Sequence, residues 1–182
     1  MRGKEEKGYS LVETLMTLVF SSFLMVAISD FLVFQSKSQR FQNLATNTQQ
    51  SLGSAMKMIT TDVWWIGFNT SEASVIMADR SLFTFKSDRN GDGIVETITY
   101  SRDTTSIKNP KLMRNKQIVA ERVALLEFRY FDSQGVELPN VPLTSGDRTK
   151  VKLVKVQLGS QVTPQVGTKK EFILESNARI RN

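Results

Sequence analysis

The 182-residue chain contains no cysteine and no histidine. Those two absences exclude a disulfide framework, a cysteine nucleophile, a Ser-His-Asp triad and an ordinary thiolate or imidazole zinc site. Any chemistry would have to rest on carboxylates, hydroxyls, lysine or a hard cation held by oxygen. The lack of cysteine leaves the compartment open, because secreted proteins can also dispense with disulfides. Proline is scarce, with four residues and none before Pro110, so nothing of that kind interrupts a helix in the first half of the chain. Charge is missing from one long stretch. Residues 14–29 carry none, and the wider run 9–34 carries only Glu13 and Asp30.

What is present is distributed unevenly. Residues 148–182 hold eight Lys or Arg against Glu171 and Glu175, so the whole net charge of +6 lies there and the remainder is neutral. The length accommodates one domain with an appendage. The apolar run comes first in the chain. Its 26 residues would reach about 39 Å as a helix, more than the ~30 Å of a hydrocarbon core. A polar octet with Arg2, Lys4 and Lys7 precedes it and favours a cytoplasmic N terminus, although Lys37 and Arg40 beyond the run weaken the asymmetry.

Three readings of this segment compete. A secretory signal cut near Ala27-Ile28-Ser29 fits poorly, because the apolar region is too long and Glu13 stands near its start. A plain anchor would keep that carboxylate in lipid, at about 2.5–3.5 kcal/mol at mid-bilayer and less near the interface. The third reading supplies a partner for it. The run Gly8-Tyr9-Ser10-Leu11-Val12-Glu13, after a short basic leader and before an apolar helix, resembles the class III signal of type IV pilins and their type II secretion relatives. The resemblance implies that a membrane prepilin peptidase cuts between Gly8 and Tyr9, methylates the new amine of Tyr9 and leaves the helix in place. It also implies that Glu13, the fifth mature residue, pairs with a neighbouring subunit's N-terminal amine. Only correctly staggered subunits would then neutralise a charge that costs several kcal/mol when buried alone. Tyr9 replaces the family's usual Phe and keeps an aromatic ring.

Beyond the span, Phe34, Phe41, Thr48 and Ala55 recur every seven residues. Leu44, Ser51, Met58 and Trp65 stand beside them, and Leu52, Ile59 and Ile66 complete one face of a continuing amphipathic helix. Its second half is expected to pack on the chain's own sheet, and its first half to face lipid or other subunits. The segment Asp62-Val63-Trp64-Trp65-Ile66-Gly67-Phe68 resembles the "D-L-x-x-A-G-[YF]" stretch that closes the long helix in PilW-like minor pilins and J-type pseudopilins. Gly67 suits a left-handed C-cap. Trp64 and Trp65 are adjacent and cannot both face inward.

Strand patterns follow at 74–78, 81–87, 94–100, 111–114, 117–120, 123–131, 151–158 and 171–175. The stretch from Val123 to Gly135 and the closing Arg179-Ile180-Arg181-Asn182 again resemble the minor-pilin class, and the missing C-terminal cysteine pair departs from major pilins. The expected organisation is a cleaved leader at 1–8, a membrane or filament-core helix at 9–34, its amphipathic continuation at 35–67 and a β-rich head at 68–182. This is an α+β chain of the type IV pilin fold, with one long helix packed on an antiparallel sheet.

Two features invite ligands. In Asp88-Arg89-Asn90-Gly91-Asp92-Gly93, oxygens at Asp88, Asn90 and Asp92, with Glu96 beyond, match the first half of a calcium loop, but Thr99 stands where a bidentate Glu is needed. A glycine-rich hairpin turn explains the same residues and is preferred. The basic strands could contact DNA, as in pilus uptake receptors, but they carry few aromatics to stack on, so a solvated face is preferred. The resemblance implies a non-enzymatic minor pilin without an obligatory cofactor, held in the bacterial inner membrane with its head outside the cytoplasm. It would prime a type IV pilus, at its tip. Its partners would be other minor pilins, the major pilin, the inner-membrane assembly platform and a PilY-type tip adhesin. A J-type pseudopilin of type II secretion is the alternative of the same class, and a DNA-binding or adhesive pilus receptor the alternative of another.

Overall fold

The computed structural model describes residues 10–70, 74–162 and 170–180. Gly8 and Tyr9, the expected cleavage and methylation positions, lie outside them. Helix α1 (Leu11–Trp64) opens on Ser10, whose hydroxyl accepts the Glu13 N–H at 3.3 Å. That is the forward half of an S-x-x-E capping box, with Glu13 also placing negative charge in the first turn. The helix ends at Trp64, three residues before the expected Gly67. The chain there tightens into bonds from Trp65 N to Asp62 O, Ile66 N to Val63 O and Phe68 N to Trp65 O. Gly67 takes φ 77°, the left-handed conformation that the turn away from the helix requires.

The chain divides into two compact units, residues 1–43 and 44–182. In the first, every side chain from Leu11 to Phe34 is exposed, as expected for a helix half with no partner in its own chain. The segment is long and apolar enough to cross a membrane.

In the second unit the rest of α1 packs on antiparallel sheets through Ala45, Thr48, Leu52, Ala55, Ile59 and Val63. The expected flanking row does not follow. Ser51 and Trp65 are only half-buried and Met58 is exposed, while Met56 and Asp62 are buried in their place. A strict seven-residue row drifts about 20° per heptad round a straight helix, so the Leu44-Ser51-Met58-Trp65 line rotates off the sheet.

Among the described residues eight strands follow: β1 (Val75–Ala78), β2 (Leu82–Ser87), β3 (Glu96–Asp103), β4 (Lys111–Arg114), β5 (Gln117–Glu121), β6 (Val123–Phe131), β7 (Leu153–Val162) and β8 (Lys170–Arg179), with a single-turn helix α2 (Ser145–Arg148) before β7. They form two sheets where one was expected, a meander in the order β1-β2-β3-β4-β5 and a second of order β6-β7-β8. The division falls at Arg122, the single residue between β5 and β6. It takes φ 58°, and the next N–H, that of Val123, bonds Pro110 O at 2.8 Å. The chain therefore changes direction there and cannot extend the first sheet.

Alternation places Phe83 and Phe85 of β2, Ile98 and Tyr100 of β3, and Phe128 and Tyr130 of β6 in one core with the helix. Phe83 bridges the sheets, with ring centroids 5.4 Å from both Phe128 and Tyr130. The Tyr130 hydroxyl donates to Asp79 O at 2.7 Å, so the phenol is buried without an orphaned donor. Phe83→Ala should therefore lower the unfolding free energy of the detergent-solubilised chain by about 3–5 kcal/mol. Denaturant titration checks this; a loss below about 1 kcal/mol would mean that the two sheets do not share a core.

Candidate functional site

Two places carry polar groups that the fold has to account for. The first is the exposed apolar helix. Its hydroxyls are all turned back on the backbone: Thr14 donates to Ser10 O, Thr17 to Glu13 O, Ser21 to Thr17 O, Ser22 to Val19 O and Ser29 to Met25 O. Satisfied in this way, they can enter lipid or a helix interface without leaving a donor unpaired. Glu13 and Asp30 are different. Among the described residues no side-chain hydrogen bond or ion pair holds either carboxylate. Residues 14–29 thus form an uncharged surface bounded by two acids.

The second place is the end of α1. Asp62 is fully buried, and two guanidiniums and a phenol converge on its carboxylate. Its Oδ1 accepts Arg89 Nη1 at 2.8 Å, and its Oδ2 accepts Arg114 Nε at 2.7 Å and the Tyr100 hydroxyl at 2.6 Å. Tyr100 and Arg114 are direct cross-strand partners of β3 and β4, so both side chains leave the same face of the sheet. A slip of one residue would send Arg114 to the other face. Asn115, the next residue after Arg114, ties that register to β3: its N–H donates to Thr99 O at 2.9 Å and its Oδ1 accepts the Thr99 N–H at 2.7 Å. Burial, and the carboxylate it donates to, push the Tyr100 phenol above its ordinary value. Burial opposes the Arg114 charge, but the hydrogen bond and charge of Asp62 outweigh it and hold the guanidinium above its ordinary value.

Beside this cluster, the end of β2 closes over the helix terminus. Ser87 Oγ donates to Trp65 O at 2.8 Å, Gly67 N to Lys86 O at 3.2 Å and Asp88 N to Phe68 O at 3.2 Å. The Ser87 and Asp88 bonds occupy the Trp65 and Phe68 carbonyls in the turns just past the helix, and the Gly67 bond occupies a carbonyl of β2. Of the tryptophans, Trp64 is exposed and Trp65 half-buried, their rings edge-to-face at 4.8 Å, with Phe68 against Trp65 at the same separation.

Of the four residues expected to form half a calcium loop, Asp88, Asn90 and Asp92 bond their side chains within the chain. Asp88 is buried, its Oδ2 accepting Asn69 Nδ2 at 2.7 Å and Gly93 N at 3.0 Å and its Oδ1 accepting Gly91 N at 2.8 Å. The Asn69 amide, followed by these backbone donors, holds its carboxyl below the usual carboxylate range. Asp92 accepts Asn90 Nδ2 and Ile94 N, both through its carboxylate oxygens, at 2.8 and 2.7 Å. Glu96 begins β3, paired with Ser87. Because Asp92 takes the Ile94 N–H, β3 starts two residues later than its apolar pattern suggests. Among the described residues no three acidic side chains gather as a metal site.

The basic end of the chain is interleaved with acids. Lys155 lies 2.6 Å from Glu175 and Lys150 2.9 Å from Asp147, and on the neighbouring β6 Arg129 lies 3.1 Å from Glu127. Positive charge is therefore spread among partners rather than collected in a stripe. Lys169 and Arg181 fall outside the described residues.

No known family model and no curated protein matches this chain in sequence. A long apolar helix followed by antiparallel sheets is compatible with a pilin-like protein.

Two outcomes follow from the geometry at the helix end. Asp62→Ala, which leaves two guanidiniums and a phenol facing an empty site, should destabilise the chain by about 3–5 kcal/mol. Arg89→Ala, which removes a partner 44 % exposed, should cost below about 1 kcal/mol. Equal losses in denaturant titration would show that Asp62 is not the centre of the cluster. Thermal unfolding with and without calcium should give the same midpoint, since the turn's oxygens are already engaged; a rise would place an ion there.

Proposed function

We propose that this chain is a minor pilin: a non-catalytic, membrane-anchored subunit that joins other minor pilins in a complex priming a type IV pilus, at its tip. The observation that carries the reading is the start of α1. The motif Gly8-Tyr9-Ser10-Leu11-Val12-Glu13 leads directly into a helix whose apolar side chains from Leu11 to Phe34 are exposed and whose hydroxyls from Thr14 to Ser29 bond its own backbone, leaving Glu13 as an acid at its first turn without a side-chain partner among the described residues. A carboxylate so placed needs a cation from another molecule, and the amine released by cleavage after Gly8 is one of the right charge.

Cleavage would free Tyr9 as the methylated N terminus, and the subunit would wait in the inner membrane with its head outside the cytoplasm. Lateral packing of the apolar helices would supply cohesion, Glu13 the stagger, and the two-sheet head the choice of neighbours. The partners would be other minor pilins, the major pilin, the assembly platform and a PilY-type adhesin. The paired lysines and arginines of the later strands favour this packing role over a DNA receptor.

Gly8→Val tests the reading. Mass spectrometry of the wild-type protein from membranes should give a chain beginning at N-methylated Tyr9, and the variant should retain residues 1–8 and stay out of sheared filaments. A variant that still shortens and enters filaments would sink the proposal.

A further inference from the structure

Asp30 is the second of the two unpartnered acids, and the function proposed for Glu13 does not use it. With the hydrocarbon boundary at Leu11, a core of about 30 Å ends close to Asp30. Phe31, Leu32, Val33 and Phe34, which are 63, 56, 53 and 62 % exposed, then stand beyond it as an apolar girdle. Moving the helix inward to cover the girdle draws the Asp30 carboxylate into lipid. One neighbouring helix resolves both difficulties, provided that it covers the girdle and brings a cation.

The chain carries that cation itself. Lys37 lies seven residues on, about 10.5 Å along the axis and about 20° round it, so it shares a face with Asp30 while standing too far along the helix to pair with it. Arg40, three residues further, is turned about 80° away. Identical chains insert with the same orientation, so two copies run parallel. Side by side at equal height, they set Asp30 against Asp30, and like charges repel. Shifted by seven residues, one copy's Asp30 meets the other's Lys37. The same shift places Ala27 opposite Phe34, a small side chain against a large one, and within the helix from Leu11 onward sets no acid against an acid.

We infer that the apolar helix self-associates as a parallel pair staggered by one heptad, in which Lys37 of a second copy neutralises Asp30. The inference rests on that part of the proposed function which puts the helix in a membrane, and not on cleavage after Gly8.

The absence of cysteine makes the test clean, because introduced thiols report alone. Full-length copies carrying Ala27→Cys and Phe34→Cys, differently tagged and co-expressed, are oxidised in native membranes. The mixed 27–34 disulfide should exceed the 27–27 and 34–34 products several-fold. It should be lost when Asp30→Lys is added to both copies and return when Lys37→Asp is combined with it, a recovery that also shows the charge variants still insert. A dominant 27–27 product, a mixed product indifferent to charge reversal, or no cross-link at any pair overturns the inference. The last outcome includes occupation of the face by a different protein's helix. Uncleaved chains keep the same helix, so failure of the Gly8 test leaves this result readable, and failure here leaves maturation untouched.

Discussion

A buried carboxylate at the end of the long helix is the constraint on which the head depends. Asp62 has no access to water, and a lone ion there would cost several kcal/mol. It is tolerable because three elements converge on it: Tyr100 from β3, Arg114 from β4 and Arg89 from the turn between β2 and β3. The pairing works only in one register, with Tyr100 opposite Arg114. A single charge on the helix thereby selects the alignment of the meander, and the meander in turn holds the helix end. Asp88 repeats the device one turn away, closing the Gly91-Gly93 loop with its own oxygens and tying it to Asn69.

The two units treat polar groups in opposite ways. In the head, the buried Asp62 and Asp88 are matched with donors from the same chain, and β7 and β8 are joined by the Lys155–Glu175 pair. On the apolar helix the hydroxyls from Thr14 to Ser29 are matched, and neither Glu13 nor Asp30 has a side-chain partner among the described residues. That contrast gives the helix the character of an assembly surface, since burying its apolar side chains against lipid or other helices is favourable only where those two charges find cations.

Much of this was legible in the sequence, and the parts that were not have identifiable causes. The helix was readable because no proline interrupts it before Gly67 and because apolar residues recur along it at helical spacing. The strands were readable from alternation at Phe83-Thr84-Phe85 and Val123 to Phe131. The buried row was misplaced at Ser51, Met58 and Trp65, since a heptad row and a straight helix diverge over that length. The split into two sheets was hidden because it depends on one left-handed residue, Arg122, which no local pattern announces. Asp62 offered a signal that could have been used: an acid seven residues after Ala55 and three after Ile59, on an otherwise apolar face. Its partners could not be found locally, because Arg114 is 52 residues away and its meeting with Asp62 is set by the whole meander. The acids at 88 and 92 look alike in a calcium loop and in a turn; what separates the two is which N–H groups their oxygens face.

The most direct measurement is the fate of full-length Glu13→Ala, followed by immunodetection in membrane and sheared-filament fractions. Processing after Gly8 and membrane insertion should proceed as in the wild type, while the variant should be missing from filaments, because the stagger-setting charge pair is gone. A variant recovered in filaments at the wild-type level would contradict assembly through Glu13.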